Sequence, residues 1–178
     1  MRRIAALGAA ALWMAPIVIA CASSPTPDGN TRVTTILAPN QSQFQQFVSP
    51  VLERRCATLD CHGEVGRPLR LYSARGLRLP SEAGLIPGVG ATTLEESTAN
   101  YRAVIGLEPE AITRVVAGVA VPRDLLLLKK PLMLEGHKGG QVIASSNDAA
   151  ELCIVSWLLA DTTHPVDQAS CAKASAPF

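Results

Sequence analysis

The residues best equipped for chemistry lie close together, in Cys56-Ala57-Thr58-Leu59-Asp60-Cys61-His62. Two thiols separated by four residues, with an imidazole directly after the second, offer two sulfur nucleophiles and a nitrogen ligand within one loop. Three chemistries suit that set. The sulfurs can add as thioethers across the two vinyl groups of a haem while the adjacent histidine binds its iron. They can instead close a local Cys56–Cys61 disulfide beside an incidental His62. Or Cys56, Cys61, His62 and a distant histidine can share a zinc ion. Zinc is the poorest of the three, because neighbouring Cys61 and His62 reach one tetrahedral ion only with strain, and no second close cysteine pair exists.

A second chemically able stretch is Leu125-Leu126-Leu127-Leu128-Lys129-Lys130-Pro131, followed by Gly136-His137-Lys138-Gly139-Gly140. Past the N-terminal segment the chain holds one methionine, Met133, and two further histidines, His137 and His164. A thioether sulfur opposite an iron raises its potential and a second imidazole lowers it.

Taken in order, the run Cys56 to Gly63, the leucine-rich stretch ending in Lys130-Pro131, the His137 turn and a closing helix with Trp157 resemble a known family. They are similar to the cytochrome c domains of planctomycete and related bacterial surface proteins. The likeness spans roughly residues 44–160 and is loose over 64–120. It departs where Lys138 replaces the first glycine of the family's turn and where Met133 precedes that turn. The resemblance implies a mostly α, small cytochrome c-like domain with long irregular loops around one covalent haem c. Cys56 and Cys61 would be the thioether positions, in the variant with a four-residue gap, and His62 the proximal iron ligand. His137 is the expected distal ligand, since the bare backbone of its glycine turn can approach a porphyrin edge. Met133 is the alternative, and an open, five-coordinate iron a third. His164, beside Pro165, is expected at the surface.

The N-terminus sets the compartment. Arg2 and Arg3 precede an apolar, small-residue run from Ile4 to Ala20, a signal-peptide pattern too short and too poorly flanked to span a membrane. Its end, Val18-Ile19-Ala20-Cys21, resembles the lipobox of bacterial lipoproteins, in which the cysteine after the cut carries a diacylglycerol. Cys21 is therefore the expected lipid attachment point, and Ala22 after it leans toward the outer membrane. The expected location is the bacterial cell envelope, facing the periplasm or the cell surface. Without residues 1–20, 158 residues remain and the formal charge moves from +1 to −1. That balance argues against nucleic acid, which calls for a basic face.

Five cysteines in an exported chain need assignments. With Cys21 lipidated, Cys56 and Cys61 form one pair, and Cys153 and Cys171 can close a disulfide loop of 18 residues. Aromatic residues are scarce, which suggests that something other than rings fills the centre.

The elements that must position these residues follow from pattern. Residues 1–20 are signal, 21–39 a lipidated cysteine with a Ser/Thr/Pro/Gly-rich tether, and 40–178 the domain. Phe44, Phe47, Val48, Val51 and Leu52 recur at helical spacing, interrupted by Pro50. Either a kink sits there, or the helix starts with Ser49 as N-cap. Residues 63–97 are loop-rich, 98–106 helical, and Ile112 to Val121 ambiguous between helix and strand. Asp124 to Lys130 is a short helix stopped by Pro131, and Gly136 to Gln141 a turn. The last helix spans 148–160, with Asp148 and Glu151 as a capping pair and Leu152, Val155, Leu158 and Leu159 as its buried stripe. Trp157 is expected in the core, Lys129 and Lys130 in solvent, near an acidic redox partner or the haem carboxylates. The functional expectation is a lipid-anchored electron carrier, not an enzyme. The alternatives are a haem enzyme or gas sensor with an open iron site, and a haem-free, disulfide-stapled lipoprotein acting as a binding module.

Overall fold

Asn40 starts the first helix by accepting the Gln43 N–H on its side chain at 2.9 Å. Gln41–Gln43 (α1) passes through a π-helical turn, Phe44–Val48, into Ser49–Arg55 (α2). Pro50 accounts for the wide turn. It has no N–H to donate and its ring crowds the carbonyl four residues back. With Ser49 N–H reaching five residues back to Phe44, the chain makes room and stays helical. Ser49 therefore lies inside a helical run and does not cap one; its hydroxyl donates to Glu53 at 2.7 Å. The computed structural model describes residues 35–80, 84 and 86–177. The expected signal segment, Cys21 and the expected tether as far as residue 34 lie outside them. The compact unit begins at Thr35, and Leu37 N–H already bonds Thr113 Oγ1 at 3.1 Å.

Among the described residues the fold is helical, with no strand and one isolated bridge, Tyr72 to Leu77. Helix α3, Leu94–Leu107, starts earlier than its apolar pattern predicts. Thr93 and Glu96 form a reciprocal capping box that fixes the true N-terminus. The ambiguous segment resolves as α4, Pro109–Val116, where proline suits the first turn because the N–H it lacks would be unsatisfied there anyway. A 3₁₀ turn, Pro122–Asp124, leads to the short α5, Leu126–Lys129. Helix α6, Ala149–Leu158, is capped by Asp148, which accepts from Ala150 N–H at 2.8 Å. Glu151 does not complete a capping box; it is buried and pairs with Arg123 at 2.8 Å. The stripe that α6 buries is also different from the one its leucines suggest. Ala150, Cys153, Ile154, Trp157 and Leu158 face inward at helical spacing, while Leu152 and Leu159 are exposed.

Three of the aromatic residues are pooled at one point. Phe44, fully buried, meets Trp157 at 5.2 Å and Tyr101 at 5.5 Å between ring centres. Trp157 Nε1 donates to Asn40 O at 2.9 Å and Tyr101 Oη to Pro39 O at 2.8 Å. This cluster joins the π turn, α3 and α6. Helix α7, Gln168–Ser175, is an element that periodicity does not reveal. It packs on α6 through the Cys153–Cys171 disulfide, the pairing that the cysteine spacing predicts.

Candidate functional site

The site grows from the end of α2. Cys56 and Ala57 N–H groups both reach back to Leu52 O, at 2.8 and 3.0 Å, which closes the helix. The four residues after Cys56 then fold over, with Cys61 and Gly63 N–H groups on Thr58 O at 3.0 and 2.9 Å. His62 N–H returns to Cys56 O at 2.8 Å. The wide gap between the cysteines is thus a closed loop whose last peptide is bonded to its first. Its pivot is the Ala57 carbonyl, which accepts Ser73 Oγ at 2.7 Å. Gly63 and Gly76 press against that carbonyl so closely that a Cβ on either would collide with Ala57 O, and on Gly63 also with Thr58 O at 2.8 Å. Leu71 N–H on His62 O and Leu77 N–H on Gly63 O, both 2.8 Å, fasten the following segment to the loop.

Each of two histidines has one ring nitrogen committed to a backbone carbonyl. His62 Nδ1 lies 2.8 Å from Leu69 O, and His137 Nδ1 lies 2.8 Å from Gly140 O. A carbonyl only accepts, so in the neutral rings Nδ1 carries the proton and Nε2 carries the lone pair. Such an outer hydrogen bond is the usual means of orienting a metal-binding imidazole and raising its basicity. The rings of His62 and His137 stand with their planes 12° apart and their centres 6.1 Å apart. Burial of His62, reinforced by the nearby His137 and Arg67 and opposed by the Leu69 bond, lowers its pKa and favours the neutral, ligating form. Gly140 takes a left-handed φ of 73°, and a Cβ on Gly139 would stand 3.3 Å from His137 Cε1. The turn thus holds the His137 ring through the Gly140 carbonyl and packs Gly139 against it.

Cys56 and Cys61 are half-buried free thiols. Burial and the neighbouring Cys61 push the Cys56 thiol up to about 12, against the opposing charge of Arg55. That shift favours the thiol over the thiolate that would attack a disulfide. Met133 is exposed, with a left-handed φ of 59°, and it is the His137 ring that stands against His62. His164 is exposed and bonds Asp161, 3.3 Å away. Lys130 pairs with Glu135 at 2.9 Å at the surface. Leu59, Val65, Met133 and Leu134, all exposed, lie on the two loops that carry the histidines.

Among the described residues no three His, Cys, Asp or Glu side chains gather as a metal cage. A zinc site takes three or four protein ligands. A haem iron draws at most two from the protein, so two imidazoles, two free thiols and apolar loops fit a haem as a donor set. Gly76, Ser73 and Leu69, which shape the loop, carry no signal in the sequence, because their roles depend on contacts made only in the folded chain. Comparison with protein-family models, with curated proteins and with solved structures finds no match to the chain.

Proposed function

We propose that this chain is a lipid-anchored, mono-haem c-type cytochrome acting in electron transfer. The observation that carries the reading is the pair of nearly parallel imidazoles, His62 and His137, each locked through Nδ1 on a carbonyl. A metal–imidazole bond is about 2 Å long, so two rings on opposite sides of one ion have centres roughly 6 Å apart. The 6.1 Å separation agrees. Cys56 and Cys61, unpaired while Cys153 and Cys171 are bonded, are the thioether positions. That contrast also disfavours a haem-free protein stapled at Cys56–Cys61.

The haem, when bound, supplies one-electron exchange at its iron. The chain's own residues bind and orient it. Leu69 and Gly140 would hold the two imidazoles through Nδ1, and the closed loop 56–63 would carry both thioether positions next to His62 in the chain. With His62 and His137 both on the iron, no coordination position would remain for a substrate, which favours a carrier over a haem enzyme or gas sensor. The expected partners are a redox protein and, through Cys21, a membrane of the bacterial envelope. Electron transfer is tested by a potentiometric titration of the haem-loaded protein, followed by its visible spectrum. A reversible one-electron step with a low-spin spectrum in both states supports the reading. A high-spin spectrum that changes on adding carbon monoxide or cyanide supports an open iron site and overturns the carrier role.

A further inference from the structure

The loop that holds His62 has a second face. A cleft of about 360 Å³ opens between residues 67–72 and α3, lined by Arg67, Arg70, Tyr72 and Arg102, with Ala99 and Ala103 leaving room. Three guanidinium groups share one cleft, and their charge is poorly matched. Arg67 pairs with Glu64 at 3.0 Å, but among the described residues no carboxylate pairs with Arg70 or Arg102. The Nε–H groups of Arg67 and Arg70 are buried and have no hydrogen-bond partner. Leaving a buried donor unsatisfied costs about 1–3 kcal/mol, and more when it is charged. The walls are set in place. Asn100 clamps the Tyr72 backbone through both N–H and C=O, at 2.7 and 2.8 Å, and Leu69, between Pro68 and Arg70, bonds His62.

From these features we infer that the cleft is an oxyanion site, built to receive a carboxylate or phosphate group. The guanidinium fork matches such planar or trigonal oxygens with paired N–H donors, and an anion would satisfy the two buried Nε–H groups. Two sources carry that chemistry. One is a carboxylate of the haem itself, which rests on the reading above and is favoured by the cleft's position on the His62 loop. The other is a free anion such as inorganic phosphate.

The full mature chain, with and without haem, distinguishes them by calorimetric titration with inorganic phosphate at low salt. The haem-free chain binds phosphate. Arg70→Gln weakens binding at least tenfold, Arg70→Lys recovers most of it, and Arg114→Gln on α4 has no effect. If the haem fills the cleft, the loaded protein no longer binds phosphate. Arg70→Gln then lowers the midpoint potential, since a lost positive charge disfavours the reduced iron, and the low-spin spectrum is unchanged. If the anion is free, the loaded protein binds phosphate as the haem-free chain does and the potential stays put. The site is overturned if the haem-free chain binds no phosphate and Arg70→Gln leaves the potential unmoved, or if Arg70→Gln and Arg114→Gln weaken phosphate equally. Should the chain take up no haem at all, the phosphate titration still decides the site, so the two claims fail separately.

Discussion

Replacing Glu96 by glutamine tests how the long segment after the cysteine loop is held. The Glu96 side chain is 0% exposed and that of Arg78 4%. Glu96 accepts Arg78 Nε at 2.8 Å and Nη2 at 3.0 Å, Leu79 N–H at 3.0 Å and Thr93 N–H at 2.9 Å. Four donors converge on two carboxylate oxygens. Glutamine keeps the shape but turns one oxygen into a donor among donors, and it removes the negative charge that faces the Arg78 guanidinium. Removing one partner of a buried pair costs about 3–5 kcal/mol, a large part of the roughly 5–15 kcal/mol of a whole domain. With a urea slope of about 2 kcal/mol/M, the unfolding midpoint falls by about 2 M. Urea unfolding followed by far-ultraviolet circular dichroism measures this, with exposed Glu95→Gln as a control expected within about 0.5 kcal/mol. The pH dependence has a definite sign. Burial alone would raise the Glu96 pKa, but the bonds from Arg78, Thr93 and Leu79 outweigh it and hold the carboxyl below its usual 4.5. Its stabilisation is fully present above about pH 4.5 and is lost as pH falls through the lower folded value. The parent and Glu96→Gln should therefore converge in acid. A midpoint change under about 0.3 M, or a gap that persists in acid, would refute the reasoning.

Four further perturbations probe the site and its frame. Gly63→Ala drives a Cβ into the backbone oxygens of Ala57 and Thr58, so it should lose about 1–3 kcal/mol in urea unfolding and impair haem uptake. Gly106→Ala, in open space on α3, should instead gain about 0.5–1 kcal/mol. Cys153→Ala with Cys171→Ala releases a loop of 18 residues and should cost about 3 kcal/mol in the same assay, with α7 losing amide-exchange protection first. His137→Ala should convert a low-spin spectrum to high-spin, with imidazole added to solution restoring it; a spectrum indifferent to His137 would return the distal position to Met133.

The sequence exposes those parts of the fold that depend on short-range chemistry. Asp148 announces α6, the proline at 131 stops α5, and two cysteines 18 residues apart announce their bond. The His137 turn is legible because two glycines follow the histidine. Other features are settled by tertiary contact. Leu152 and Leu159 look like core residues but are exposed, because the disulfide and Trp157 turn the other face of α6 inward. Helix α7 buries only Cys171 and Ala174, too little apolar surface to leave a periodic trace. Pro50 reads as a helix breaker because a backbone rule forbids it four residues in, and a π turn evades the rule. The start of α3 was present in Thr93 and Glu96 but was hidden by a segment otherwise rich in loop residues.

Covalent haem at Cys56 and Cys61 is the claim on which the functional account turns. It is tested most directly by an alkaline pyridine haemochrome spectrum of the mature protein, expressed with cytochrome c maturation machinery and extracted with acid acetone. The account predicts a c-type spectrum at one haem per chain that survives extraction and is absent from Cys56→Ala/Cys61→Ala. A colourless protein, or haem that leaves with the acetone, would contradict it.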